Sequence, residues 1–200
     1  MGQYLRRLHF DSHASKGTTE RHNSKFSGVN CLRAMRILIF TEGTILTHRD
    51  WIGLPRERIV KLVKSREGLL GVDHFAASVP IGNCVRKIEA WKRQGATILY
   101  LTSRRTPEEV RTIRRILTKY NFPQGELLFR NAGEEYKDVA ERTLPDIIVE
   151  DDCESIGGEE EMTYPYIKEE LKTRIKSVVV KEFGGIDHLP DDVSDLLYYQ

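Results

Sequence analysis

Polar clusters follow three short apolar stretches of the sequence, and their residue types suit the binding of a phosphate group and a divalent cation. The clusters are Glu42–Thr44, Thr102–Arg104 and Glu150–Asp152, and Lys137 lies between the second and the third. A short apolar run that ends in a polar turn predicts a strand buried on both faces. If these strands are adjacent and parallel, their carboxyl ends meet at one edge of the sheet and the clusters form one site.

The residue types indicate what this site would bind. Hydroxyl groups, loop amides and an ammonium group donate to phosphate oxygens, whereas carboxylate oxygens are the ligands that Mg²⁺ prefers. We expect phosphate to be bound by Gly43, Thr44, Thr102, Ser103 and Lys137. Each feature alone has a simpler explanation, since a threonine or an acidic pair after a strand often forms a turn or caps a helix. A lone lysine on a helix is usually solvated, so the prediction depends on the combination.

Strand and helix patterns alternate from Met35 onward. They predict an α/β fold with a doubly wound, mostly parallel Rossmann-like sheet and helices on both faces. The predicted strands are residues 37–40, 96–101, 127–129, 147–149 and 177–180. The predicted helices are residues 55–65, 84–91, 107–121, 134–142 and 166–175. Thr106–Glu109 is a capping box with proline at the first helical position.

Composition excludes some classes of protein. No apolar run approaches the roughly 20 residues that span a bilayer, which argues against a membrane protein. Three cysteines without metal-ligand spacing suggest neither a zinc site nor a disulfide framework, so we expect a cytoplasmic protein. A net charge of +1 gives no general attraction to nucleic acid. Arginines within residues 104–115 alternate with Glu108 and Glu109, which favours a solvated helix face over a nucleic-acid site.

Residues 1–34 differ in composition from the rest of the chain. They hold six Lys and Arg residues against two Asp and Glu residues, and residues 13–30 show no helical or strand period. Such a segment buries too little apolar surface to fold. We therefore predict a disordered extension over residues 1–34 and one domain over residues 35–200, with an organelle-targeting peptide as the alternative for the extension.

The order of these motifs resembles the haloacid-dehalogenase-like superfamily of phosphohydrolases over residues 35–180. The second motif of that superfamily is a strand ending in Ser or Thr, matched by Thr102, and its third motif is a lysine, matched by Lys137. Its fourth motif is a strand ending in an acidic pair, matched by Asp151 and Asp152. The second and fourth motifs are most similar to those of small nucleotidase-like members. Residues 48–82 fall where the superfamily inserts its cap, which implies a small helical cap.

The resemblance also implies a ligand and a cofactor. The ligand would be a phosphorylated small molecule or a nucleotide. The metal would be Mg²⁺, held mainly by Asp151, with Asp152 and the main-chain oxygen of Glu42 as further ligands. The catalytic positions would be Glu42, as an acid or base, together with Thr102 and Lys137.

The first motif departs from the superfamily pattern. Aligning Gly43 and Thr44 with its Gly-Thr pair puts Phe40 at the position of the nucleophilic aspartate and Glu42 at the second aspartate. Phenylalanine can neither attack phosphorus nor bind a metal, so we expect Mg²⁺ to bind weakly or not at all.

Two classes of function remain open from the sequence. The first is a relative that has lost covalent phosphatase chemistry and binds a phosphorylated ligand or a protein partner. The second is an active Mg²⁺-dependent phosphatase in which Glu42 or the fourth-motif carboxylates activate water. The first is favoured because losing a nucleophile costs several orders of magnitude in rate.

Overall fold

The structure is a computed structural model of the chain, and it describes residues 33–65 and 72–200. The predicted extension lies outside the described residues except for Arg33 and Ala34. The Arg33 side chain donates to the Asp146 carboxylate, which also accepts a hydrogen bond from the Arg36 amide at 2.7 Å. These contacts join the start of the described chain to Asp146, which lies at the amino-terminal end of the central sheet.

A five-stranded parallel sheet forms the centre of the fold. In chain order the strands are β1 (Arg36–Phe40), β2 (Leu46–His48), β3 (Ser78–Pro80), β4 (Thr97–Leu101), β5 (Glu126–Leu128), β6 (Ile147–Asp151) and β7 (Lys176–Val180). The central sheet has the order β5-β4-β1-β6-β7, and every neighbouring pair in it is parallel. Phe40 lies beside Leu101, so β1 and β4 end at the same edge. The predicted doubly wound, parallel α/β fold is confirmed.

The helices match most of the predicted segments. They are α1 (Arg56–Lys64), α2 (Val72–Ala76), α3 (Cys84–Arg93), α4 (Pro107–Lys119), α5 (Tyr136–Thr143) and α6 (Glu169–Lys172). The prediction for α6, residues 166–175, is too long, because Ile167 has an extended backbone that separates this helix from a short 3-10 turn, Tyr164–Tyr166. Within residues 33–65 and 72–200, no helix has both the length and the apolarity needed to cross a membrane.

Two apolar cores lie on opposite faces of the sheet. Ile37 and Ile39 of β1 pack on one face with Ile88, Trp91 and Ile113 from α3 and α4. Leu38 packs on the other face with Val139 and Ala140 of α5. Successive side chains of a strand point to opposite faces, so a continuous apolar run is what a sheet covered on both sides requires.

An insertion separates β1 from α3. The chain first makes one turn after β1, in which the amides of Ile45 and Leu46 both donate to the Thr41 carbonyl, at 3.0 and 2.8 Å. Strands β2 and β3 then pair as an antiparallel hairpin, and their connection carries α1 and α2. This insertion agrees with the small helical cap expected over residues 48–82, although its hairpin was not predicted.

Candidate functional site

A pocket of about 380 Å³ lies at the carboxyl edge of the sheet and is also lined by the insertion. From the predicted clusters, its lining includes Glu42, Gly43, Ser103, Arg104 and Asp151. Residues from all three clusters therefore face one cavity. The parallel pairing of β1 with β4 and β6 explains this convergence, because it brings the ends of these strands together.

The carboxylate of Glu42 occupies a set of donors that we call the donor cradle: the hydroxyls of Thr41 and Thr102, the amide of Ser103 and the guanidinium of Arg104. The two hydroxyls donate to Glu42 at 2.6 Å each, and the Ser103 amide donates at 3.1 Å. The Arg104 Nε lies 3.4 Å from Glu42 Oε1. The cradle therefore binds an anion, and that anion is a side chain of the protein itself.

The strand ends fix the positions of these donors. Thr41 and Thr102 are the first residues after β1 and β4, and both are fully buried. The Thr41 amide donates to the Leu101 carbonyl at 3.0 Å, which continues the sheet by one residue. The Glu42 side chain remains 22% exposed, so its carboxylate has room to turn toward solvent.

Asp151, at the end of β6, is buried beside the turn that follows β1. The Thr44 hydroxyl donates to its carboxylate at 2.7 Å and the Cys153 amide at 3.1 Å. Burial raises the pKa of Asp151. Gly43 passes so close that a Cβ there would lie 2.8 Å from an Asp151 oxygen, and its φ of +81° also favours glycine. Gly43 and Thr44 thus position Asp151.

Asp152 faces a different set of partners. Its carboxylate accepts hydrogen bonds from the Glu182 amide and from Lys181, both at 3.0 Å, and Arg56 lies 3.6 Å away. Burial alone would raise the pKa of Asp152, but these hydrogen bonds and positive charges together lower it. Asp152 is not among the residues that line the pocket.

The side chains expected near Mg²⁺ are not gathered into a group that could bind the ion. The Glu42 side chain is held by the donor cradle, and the carboxylates of Asp151 and Asp152 accept hydrogen bonds from separate partners. In the part of the chain that the structure describes, no group of three or more His, Cys, Asp and Glu side chains is placed to bind a metal ion.

Lys137 lies outside the cluster of predicted site residues. Its ammonium pairs with Glu135 at 2.8 Å, and this hydrogen bond together with the carboxylate charge raises the pKa of Lys137. The preceding residue, Tyr136, lines the pocket and makes an edge contact with Phe40, with ring centroids 5.3 Å apart. The donor cradle instead contains the guanidinium of Arg104, which directly follows Thr102 and Ser103 in the sequence.

One side of the pocket is aromatic and was not predicted from the sequence. We call it the aromatic wall, and it consists of His48, Trp51, His74, Phe75 and Phe183. Its members come from the insertion and from the segment after β7, so they are far apart along the chain. No spacing in the sequence links them.

Comparisons with known proteins assign this chain to no family. No family model and no curated protein matches the chain. A chain from the Pnkp1/Rnl/Hen1 RNA repair complex is similar at 14% identity and a TM-score of 0.43, covering 75% of this chain and 44% of that chain. A chain from a second Pnkp1/Rnl/Hen1 structure is similar at 13% identity and a TM-score of 0.43, covering 76% and 47%. This chain thus spans less than half of the length of either match, and a likeness at this level carries no argument about function.

Proposed function

We propose that this chain is a haloacid-dehalogenase-like protein that binds the phosphate group of a small phosphorylated ligand and has lost covalent phosphatase chemistry. The phosphate would bind in the donor cradle, to the hydroxyl of Thr102, the amide of Ser103 and the guanidinium of Arg104. Glu42 would turn away to admit it.

The observation that carries the proposal is the Glu42 carboxylate in the donor cradle. Two hydroxyls, one amide and one guanidinium surround its oxygens. Charge-assisted hydrogen bonds of this kind are also those that bind phosphate. A phosphate monoester carries a charge of about −1.5 to −2 at pH 7, more than one carboxylate, so it can compete for the same donors.

The residue at the end of β1 supports the loss of covalent chemistry. Phe40 stands where the superfamily has its nucleophilic aspartate, and its ring packs against Tyr136. A phenyl ring has no atom that can form a phosphoenzyme, and nucleophilic catalysis requires such an atom. The donor cradle could therefore bind a phosphate group, but Phe40 could not accept it covalently.

Titration calorimetry of the full chain with inorganic phosphate tests the binding half of the proposal. Thr102→Val removes a hydroxyl from the donor cradle at nearly constant volume and should weaken binding at least about tenfold, as expected for a hydrogen bond to a charged group. Thr118→Val is the matched control, because Thr118 is exposed on α4 and its hydroxyl donates to the Arg114 carbonyl at 3.0 Å. Equal losses in both variants, or no binding by the parent protein, would refute the proposal.

A colorimetric assay of phosphate release tests the catalytic half. With Mg²⁺ and generic phosphomonoesters, the protein should release phosphate several orders of magnitude more slowly than an ordinary enzyme turnover of about 10 per second. Turnover near that ordinary value would instead favour the Mg²⁺-dependent phosphatase.

A further inference from the structure

The pocket has two ends of different chemistry. One end is polar and contains Glu42, Ser103 and Arg104. The other end is the aromatic wall. The two ends adjoin at Arg104, whose guanidinium carbon lies 3.8 Å from the centre of the Phe75 ring and whose Nε lies 3.4 Å from Glu42. A ligand that fills the pocket therefore meets both.

The rings of the aromatic wall hold one another in place. Trp51 contacts His74 and Phe183 with centroid separations of 5.6 Å each, and His74 stacks on His48 at 4.4 Å with nearly parallel planes. Aromatic pairs at such distances attract one another beyond the burial of their area. The wall is thus largely formed before a ligand binds, which lowers the entropic cost of binding.

The backbone beneath the wall is strained. Phe183 has a φ of +60°, a left-handed conformation that is unusual for a bulky side chain, and its amide donates to the Gly43 carbonyl at 2.7 Å. Cys153, which also lines the pocket, has a φ of +48°. The other non-glycine residues with positive φ in the described ranges are Asn121, two residues after the end of α4, and Leu144, directly after α5, and such a conformation often ends a helix. Strain without that explanation is therefore concentrated at the pocket, as is common at ligand sites.

Two further carboxyl groups of the pocket are already engaged. Asp151 accepts from Thr44 at 2.7 Å, and Glu182 accepts from the hydroxyl and the amide of Ser155 at 2.6 Å each. Burial raises the pKa of both acids, which favours their neutral forms. Both carboxyl groups therefore already have hydrogen-bond partners outside the donor cradle.

We propose that the pocket binds a phosphate monoester that carries a flat aromatic ring, with the phosphate in the donor cradle and the ring against the aromatic wall. Nucleoside monophosphates and aryl phosphates share this chemistry. The pocket volume of about 380 Å³ lies within the range of about 300–1,000 Å³ for small-molecule sites. The phosphate half of this inference rests on the proposed function, whereas the ring half does not.

The test is titration calorimetry of the full chain with ribose 5-phosphate, adenosine monophosphate and phosphotyrosine. At least one of the two aromatic compounds should bind about tenfold or more tightly than ribose 5-phosphate, as expected when a ring stacks on aromatic side chains. A preference for adenosine monophosphate would assign a nucleotide, and a preference for phosphotyrosine would assign an aryl phosphate.

Variants of the wall show whether the preference arises there. Trp51→Leu should reduce the affinity ratio between the preferred aromatic compound and ribose 5-phosphate to about twofold or less. Tyr198→Leu is the control, because Tyr198 is an aromatic residue that is 80% exposed and does not line the pocket. Circular dichroism checks that each variant is folded, and Phe183→Leu replaces Trp51→Leu if the latter is not.

The binding results distinguish a failure of this inference from a failure of the proposed function. Equal affinity for all three compounds, or a preference that survives the folded wall variant, would overturn this inference and leave the proposed function intact. Absence of binding by every phosphate compound would overturn the proposed function and this inference together.

Discussion

The carboxylate of Glu42 competes with any ligand for the donor cradle, because it accepts from the Thr102 hydroxyl at 2.6 Å and from the Ser103 amide at 3.1 Å. In the proposed function this side chain would have to leave the donor cradle before phosphate could bind, which would weaken phosphate binding. The sequence identified Thr102 and Ser103 as donors, since residues at the end of a buried parallel strand face the site edge. It could not place Lys137, because successive residues of a helix point about 100° apart and the rotation of α5 is set by packing.

Neutralising Glu42 should strengthen phosphate binding. In Glu42→Gln the internal competitor keeps its length but loses its charge, so the dissociation constant for inorganic phosphate should fall about tenfold, or about 1.4 kcal/mol. Glu108→Gln, an exposed position on α4, should leave it unchanged. Weaker binding in Glu42→Gln would mean that Glu42 supports the ligand instead of competing with it.

Asp151→Asn removes the ionisable carboxyl group but keeps the size of the side chain. The variant therefore tests how the buried carboxyl group affects the stability of the fold. The asparagine can accept from the Cys153 amide and donate to the Thr44 oxygen, so both hydrogen bonds can be kept. Because burial raises the pKa of Asp151 above its ordinary value of 3.8, the folded wild type holds this proton more tightly than the unfolded chain does. Its contribution to stability is thus full below about pH 4 and is lost as the pH rises through the folded-state pKa.

Thermal melts between pH 4 and pH 8 measure this effect. The melting temperature of the variant relative to wild type should increase with pH, by about 2–4 °C for each kcal/mol in a chain of this size. A difference that is the same at every pH would contradict the assignment of a raised pKa.

At the scale of elements, local sequence patterns predicted the central sheet and most of its helices. Apolar runs such as 37–40 and 147–149 identify strands because both faces of this sheet are covered. The hairpin of β2 and β3 was missed because each strand has only three residues and their partners are some 30 residues apart. Such short strands are stabilised by pairing with residues far away in the sequence, and a local sequence pattern does not indicate that pairing.

The start of α4 offers a test of local prediction. The Thr106 hydroxyl accepts from the Glu109 amide at 3.3 Å, and the Glu109 carboxylate accepts from the Thr106 amide at 3.1 Å, which confirms the predicted capping box. Thr106→Ala should lower the free energy of unfolding by about 1 kcal/mol in urea titrations. Thr118→Ala in the same helix should change it by less than about 0.5 kcal/mol. Equal effects would show that the cap adds nothing to stability.

At the scale of the whole molecule, the pocket depends on segments that are remote in sequence. Trp51 comes from the insertion and Phe183 from the segment after β7, yet their ring centroids lie 5.6 Å apart. The sequence could predict the polar end of the pocket, because three parallel strands deliver it to one edge. The aromatic end could not be predicted, because its residues come from the insertion and the final segment. These segments meet only through tertiary folding, which a local sequence pattern does not indicate.

The most direct test of the proposed function is a crystal structure determined from crystals of the protein soaked in phosphate. We expect a phosphate within hydrogen-bonding distance of the Thr102 hydroxyl and the Ser103 amide, with the Glu42 side chain turned out of the donor cradle. A phosphate bound elsewhere, with Glu42 still accepting from Thr102, would contradict it.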